Sequence, residues 1–161
     1  MKFAYLLVLF IVFSFNSVLA QKVEVIKFPK LQEIIDAKQP SMKVINFWAT
    51  WCKPCIEELP YFEEVNKIYA GDDFEVVLVS LDFVEDLDEK VKLFVEKKGL
   101  QSKLYLLDET DYDKIINEID ASWSGAIPAT LIVDHRKGKK DFYERQFKEG
   151  ELSQIIKTLI N

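Results

Sequence analysis

The 161-residue chain is 49% hydrophobic and 30% charged, with five Gly and five Pro, the make-up of a single globular domain, which excludes a long disordered tract. Its formal net charge of −6 argues against nucleic acid as a partner. Basic residues stand singly or in short pairs such as Lys97-Lys98 and Lys139-Lys140, most of them near acids, which reads as solvated faces.

At the N-terminus Lys2 precedes an apolar run from Phe3 to Phe15, followed by Asn16, Ser17, Val18, Leu19 and Ala20. That layout predicts a signal peptide over residues 1–20 and a mature domain over 21–161, with small residues at Val18 and Ala20 before the cut. The run is too short for a comfortable membrane span; an uncleaved anchor is the other reading. Loss of Lys2 takes the net charge from −6 to −7.

Val23 to Phe28 alternates loosely and predicts a strand, while Leu31, Ile34 and Ile35 share one face of a short helix ending before Pro40. Lys43 to Ala49 is an apolar run suited to a strand buried on both faces, and it leads straight to Cys52. From there Ile56, Leu59, Phe62, Val65 and Tyr69 recur at helical spacing, with a kink expected at Pro60 and an end at Gly71. A second buried strand is predicted over Phe74 to Leu81, and a helix over Asp86 to Lys98 with Leu87, Val91, Phe94 and Val95 inward, closed by Gly99. Lys103 to Leu107 predicts a short strand, and Tyr112, Ile115, Ile116 and Ile119 mark another helix.

The last third reads differently. Ala129 to Val133 and Asp141 to Phe147 are predicted strands joined by the polar turn Asp134 to Gly138, a hairpin signal. An amphipathic helix closes the chain, with Leu152, Ile155, Ile156, Leu159 and Ile160 on one face. Strand-helix units followed by a hairpin and a helix predict an α/β fold whose central mixed sheet is flanked by helices.

The two cysteines, Cys52 and Cys55, are spaced C-x-x-C. A disulfide closing so short a loop removes little chain entropy, so the placement points to chemistry rather than stapling. A thiol attacks a disulfide only as its thiolate and needs an exposed sulfur and a lowered pKa. Cys52 stands where a buried strand hands over to a helix, so its sulfur is expected to face unsatisfied N–H groups at the positive end of the helix. Lys53 adds a nearby cation, and Pro54 fits the first helical turn. Cys55 falls one turn inside, which makes Cys52 the attacking thiol and Cys55 the resolving one. Lowering a thiol from about 8.5 to about 7 raises its thiolate fraction at pH 7 from roughly 3% to roughly 50%. The same shift costs about fivefold in intrinsic nucleophilicity. The motif therefore establishes exchange chemistry without fixing its redox direction.

The run Asn46-Phe47-Trp48-Ala49-Thr50-Trp51-Cys52-Lys53-Pro54-Cys55, with Glu57-Glu58-Leu59-Pro60 after it, resembles the thioredoxin superfamily, and in particular its exported TlpA/ResA-like thiol-disulfide oxidoreductases. A second stretch, Gly125-Ala126-Ile127-Pro128-Ala129-Thr130, resembles the family's cis-proline segment. The resemblance spans about residues 40 to 160. It implies a thioredoxin-like fold with an extra helix between core strands, here 86–98, and a redox-active Cys52–Cys55 disulfide. It implies a cis-proline at Pro128, with Ile127 offering backbone groups to an extended substrate beside Trp51 and Pro54. Asn46 departs from ordinary thioredoxins, which place a buried Asp there. In the ResA-like branch an acid lies three residues after the second Cys, and Glu58 occupies that place as the candidate proton acceptor for Cys55. The plainer reading makes Glu58 a first-turn acid complementing the helix dipole.

The function implied is reduction of disulfides in exported partner proteins, cytochrome c apoprotein being one candidate, with a membrane thiol reductant restoring the dithiol and no cofactor. Two alternatives stand beside it. One is a binding module of the same fold with a permanent disulfide. The other is a thiol peroxidase, for which Ala49 replaces the Thr expected three residues before the reactive Cys. Elsewhere, Trp48 and Trp51 are expected to cover the redox pair, and Trp123 either flanks the groove near Pro128 or packs inside. His135 reads as an exposed turn residue, Glu63 and Glu64 as solvated acids, and Asp82, Glu85, Asp86 and Asp88 as a loop and helix-cap region. Without a downstream His the pair is no haem-attachment site, and two cysteines make a poor zinc site.

Overall fold

The computed structural model describes residues 22–71 and 73–161; the signal-peptide reading of residues 1–20 lies outside them. Among the described residues no helix is long and apolar enough to cross a membrane. Six strands there form one mixed sheet: β1 (Val23–Ile26), β2 (Met42–Trp48), β3 (Phe74–Ser80), β4 (Lys103–Leu107), β5 (Ala129–Asp134) and β6 (Lys139–Tyr143). Their order across the sheet is β1-β4-β3-β2-β5-β6. The first four are mutually parallel, β5 runs antiparallel to β2, and β6 antiparallel to β5. The helices are α1 (Phe28–Asp36), α2 (Lys53–Tyr69), α3 (Lys92–Lys98), α4 (Tyr112–Ile119) and α5 (Glu151–Ile160).

Both faces of the sheet are covered, and the period-two alternation of β2 shows how. Val44 and Trp48 point to the face where Leu59, Phe62 and Val65 of α2, Val91 and Val95 around α3, and Leu152 and Ile156 of α5 pack. Ile45 and Phe47 point to the other face, against Leu31 and Ile35 of α1 and Ile115 and Ile119 of α4. Full burial of each such aliphatic side chain contributes about 2 kcal/mol before conformational entropy is charged against it. Asn46 lies between Val44 and Trp48 and so shares their face, which aims its amide at α2.

Several boundaries differ from the sequence expectation. Helix α2 holds Pro60 within it as expected but ends at Tyr69, capped by the N–H of Ala70 donating to the carbonyl of Asn66 at 2.8 Å. Gly71 instead bridges to Phe74 as the chain turns into β3. The helix expected over 86–98 opens with a 3-10 turn at Val84–Asp86 and a wider π turn at Leu87–Val91, becoming α-helical at Lys92. Its inward residues Val91 and Val95 are those the spacing indicates, and Gly99 closes it with a φ of +64° that favours glycine.

The hairpin is tighter than expected, with its second strand over Lys139–Tyr143 rather than 141–147. The Asp134 carboxylate accepts from the backbone N and Nε of Arg136, each at 3.0 Å, and this folds the turn so that Lys139 pairs opposite Asp134. The chain then leaves the sheet, and Phe147 enters the core beneath α2. His135 is half-buried rather than exposed: its Nε2 lies 3.0 Å from the carbonyl of Ile35, and its N–H donates to Ser41.

Candidate active site

The site grows from the junction of β2 and α2. β2 ends at Trp48, and Ala49, Thr50 and Trp51 turn the chain, the N–H of Cys52 closing the turn on the carbonyl of Ala49 at 3.1 Å. Cys52 is the N-cap of α2, and the N–H of Cys55 points at its sulfur from 3.3 Å. A sulfur there takes one of the donors that the first helical turn leaves unpaired, and it sits at the positive end of the helix. Cys52 and Cys55 are joined by a disulfide, with an S–S distance of 2.03 Å and Cα atoms 5.3 Å apart.

The two sulfurs are unequally placed. Cys55 is fully buried, and Cys52 retains 6% exposure, less than the open sulfur the sequence suggested. On one side stands the carbonyl oxygen of Ile127, 3.8 Å from Sγ of Cys52; with no S–H in the disulfide this is a contact and not a hydrogen bond. The Ile127–Pro128 peptide is cis. Trp51 is 66% exposed, whereas Trp48 is buried against Phe94. Pro54 sits in the first turn of α2. The Lys53 side chain is 89% exposed and its Nζ lies 3.9 Å from Glu57, so that charge is directed to water and to Glu57 rather than to the sulfur.

Behind Cys55, one turn along α2, Glu58 is fully buried. One carboxylate oxygen accepts from Nδ2 of Asn46 at 2.9 Å and the other from the N–H of Phe147 at 2.7 Å. The Asn46 amide is itself steadied by Thr130, whose Oγ1 is 3.1 Å away. Burial pushes the Glu58 pKa up to about 7, against the opposing pull of the Phe147 N–H, the Asn46 amide and the Arg145 charge. A solvated first-turn acid would have no such environment. Residues three apart on a helix are neighbours, so this carboxyl shares its face of α2 with Cys55.

Two loops converge on Cys52, and each is held by a carboxylate that sequence reasoning passed over. Asp82, buried just past β3, accepts from the Thr50 N–H at 2.9 Å, the Thr50 hydroxyl at 2.5 Å and the Ser80 hydroxyl at 2.7 Å. Glu144 accepts from the N–H groups of Ser124 at 3.1 Å and Ala126 at 3.0 Å and from the Ser124 hydroxyl. Between them Gly125 adopts a φ of +94°, which a side chain would strain. Asp82 stood in an acidic stretch that reads as a loop, and Glu144 belongs to no motif; the one usable signal was an acid placed two residues past a largely buried strand. Glu63 is likewise engaged rather than merely solvated, accepting from the N–H groups of Gln101 and Ser102 at 2.9 and 3.1 Å.

Trp123 is buried, its ring tilted against Phe47 at 4.8 Å and Phe142 at 5.7 Å, with its indole N–H donating to the carbonyl of Ala126 at 2.8 Å. It also lines a cavity shared with Trp51 and Ile127. Among the described residues no group of three or more His, Cys, Asp or Glu side chains is arranged to hold a metal ion.

Comparison with known proteins agrees with this geometry. Thiol-disulfide oxidoreductase ResA of Geobacillus kaustophilus is 32% identical over 112 residues, which are 70% of this chain and 52% of that protein. Thioredoxin-like protein YneN of Bacillus subtilis is 31% identical over 121 residues, 75% of this chain and 66% of its own length. The chain thus spans between half and two-thirds of these relatives. A thioredoxin-related protein from Neisseria meningitidis serogroup B matches with a TM-score of 0.61 at 19% identity, covering 73% of this chain and 84% of that one, which establishes a thioredoxin-like fold. A family model matches residues 21–139, and the chain belongs to the AhpC/TSA family.

Proposed function

We propose that this chain is an exported thiol-disulfide oxidoreductase that reduces disulfides in partner proteins. The observation that carries the reading is the Cys52–Cys55 pair at the head of α2, with the N–H of Cys55 aimed at the sulfur of Cys52 and the Ile127 carbonyl beside it. The name that the Geobacillus kaustophilus relative bears, thiol-disulfide oxidoreductase, supports it.

In the dithiol form the Cys52 thiolate, held by the helix N-terminus, attacks one sulfur of a partner disulfide. A mixed disulfide forms and the other partner sulfur leaves as a thiolate. The Cys55 thiolate then attacks the Cys52 sulfur, releasing the second partner thiolate and closing the Cys52–Cys55 disulfide. Two electrons have passed from this chain to the partner. Cys55 must lose its proton first, and Glu58, with a pKa of about 7, is roughly half ionised at neutral pH and accepts it. Ile127 and Pro128 supply an extended edge for the partner's backbone, with Trp51 and Pro54 framing the approach. A membrane thiol reductant returns the dithiol, and cytochrome c apoprotein is a candidate client. Residues 1–20 act as the export signal and 21–161 as the thioredoxin-like domain.

The test is a trap. Cys55→Ser stalls the mixed disulfide at Cys52 and accumulates covalent partner complexes, while the wild-type dithiol reduces insulin. Trapping only by the variant lacking Cys52 would reverse the assigned order. A pair that stays oxidised across glutathione buffers with no insulin reduction would leave a binding module, and consumption of hydrogen peroxide would indicate a peroxidase. Glu58→Gln tests the proton role: an unchanged titration of the Cys55 thiol removes it.

A further inference from the structure

Asn46 lies within β2, fully buried, on the face otherwise taken by Val44 and Trp48. A buried amide is costly unless its hydrogen bonds are made, and this one makes them on one side alone. Its Nδ2 has three acceptors around it: Glu58 at 2.9 Å, Oγ1 of Thr130 at 3.1 Å and the carbonyl of Ala129 at 3.4 Å. Its Oδ1 has no hydrogen-bond partner among the described residues. An apolar side chain would fill this row without stranding an acceptor. The amide therefore earns its place through what its nitrogen donates to.

What it donates to is the carboxylate behind Cys55. Each Glu58 oxygen receives one N–H, from Asn46 and from the backbone of Phe147, and both donors favour the ionised form against burial, which favours the acid. The Phe147 donor is main chain, so Asn46 is the one of the two that a side chain supplies. Strand register places it: β2 and β5 run antiparallel with Asn46 opposite Thr130, and the Thr130 hydroxyl and Ala129 carbonyl hold the amide nitrogen from across the pair. Both residues follow directly on Pro128. The charge that bears on Glu58 is Arg145, itself paired with Glu151 of α5 at 2.6 Å, and Cys55 is its titratable neighbour on α2. β2 and β5 present Asn46 and Thr130, both neutral.

We propose that Asn46 is a positioning residue for the second step of exchange: its amide N–H steadies the Glu58 carboxylate, so that Glu58 is ionised when Cys55 must give up its proton. This deepens the exchange reading above and rests on it. The proton passes from Sγ of Cys55 to a Glu58 oxygen, and the Cys55 thiolate attacks the Cys52 sulfur and expels the partner thiolate; Asn46 exchanges no proton. Without the amide donor Glu58 keeps its proton at neutral pH, and the Cys55 thiol keeps its own.

The test compares the full wild-type chain with Asn46→Leu and Thr130→Val. Isotope-edited NMR of the Glu58 carboxyl in the oxidised form reads its titration. Stopped-flow mixing of the reduced chain with a nitrophenyl disulfide, whose thiolate product is coloured, reads the attack of Cys55 as the second of two phases. In Asn46→Leu the carboxyl midpoint and the midpoint of the second-phase rate should both move up by about one to two pH units, the loss of one hydrogen bond to a charged group. The second phase should be severalfold slower at pH 7 and recover in alkali. Thr130→Val keeps the amide but removes a support, and should move both midpoints the same way by less; if Asn46→Leu does not fold, this variant decides alone. A loss of rate equal at every pH, with the carboxyl midpoint unmoved, would mark a merely structural role and overturn the proposal. Insulin separates the failures. If the wild-type chain reduces insulin but neither variant moves the midpoints, the role given to Asn46 is wrong and the exchange reading stands. If the wild-type chain does not reduce insulin, the exchange reading falls and takes that role with it.

Discussion

The loop ending at Cys52 and the loop ending at Pro128 are each held by one carboxylate that gathers three donors, two of which in each case come from a single Thr or Ser residue. The surroundings differ. Asp82 is buried at the end of a central strand, whereas Glu144 is half-buried at the edge of the sheet. In water a lost carboxylate is replaced by solvent, so its donors are never stranded. In the core they are, and each unpaired buried donor costs about 1–3 kcal/mol. The same clasp is therefore costlier to remove beside Cys52 than beside Pro128. Glu58, the third carboxylate near the pair, is also buried, and burial drives its pKa up to about 7.

The sharpest way to break this comparison is to remove the buried clasp. Asp82→Ala leaves the Thr50 N–H, the Thr50 hydroxyl and the Ser80 hydroxyl without their acceptor and is expected to cost about 4 kcal/mol, a large share of a domain's stability. Urea unfolding of the oxidised chain should show this as a lower midpoint at unchanged slope. A cost below about 1 kcal/mol would mean that water reaches Asp82 and that the two clasps are alike.

Next in size is Glu58. Its folded pKa lies above the unfolded value of 4.5, so the folded state holds the proton more tightly. The protein therefore loses stability as pH rises from about 4.5 to about 7, after which the loss is complete. The shift corresponds to about 3 kcal/mol. In Glu58→Gln that decline should be missing, so that the variant gains about 3 kcal/mol on the wild type between pH 4.5 and pH 8. Parallel pH profiles for the two proteins would show that Glu58 titrates normally and would undo its proposed role toward Cys55.

How much of this could be read from the chain depends on whether a residue's meaning is local. The sheet and its helices were legible because Val44 to Trp48, Val76 to Val79 and the spacing of α2 and α5 declare burial within a few residues. Cys52 and Pro54 were legible for the same reason, since strand end, cap and first helical turn are contiguous. Asp82 and Glu144 were not, because their partners are 32 and 20 residues away in sequence and an acid in a loop or hairpin carries no sign of what will fold against it. His135 and Glu63 were misjudged likewise, their acceptor and donors lying 100 and 38 residues off. The 3-10 and π turns before α3 escaped because inward residues at 87, 91, 94 and 95 fit an ordinary helix as well.

The smallest expected effect belongs to the rim clasp, and it sharpens the comparison by its pH dependence. Hydrogen bonds from Ser124 and then from the backbone N–H groups of Ser124 and Ala126 hold the Glu144 pKa below its ordinary value. A carboxyl depressed on folding stabilises the protein above its unfolded pKa and loses that contribution as pH falls through the folded one, the reverse of Glu58. Glu144→Ala is expected to cost about 1 kcal/mol at pH 7, since water replaces part of the clasp. The difference from wild type should shrink as pH falls below the unfolded pKa of 4.5 and Glu144 takes up its proton. Urea midpoints of the two proteins at pH 7 and pH 3 measure it. A cost matching that of Asp82→Ala, or one that grows in acid, would show that the proline loop is held as rigidly as the cysteine loop.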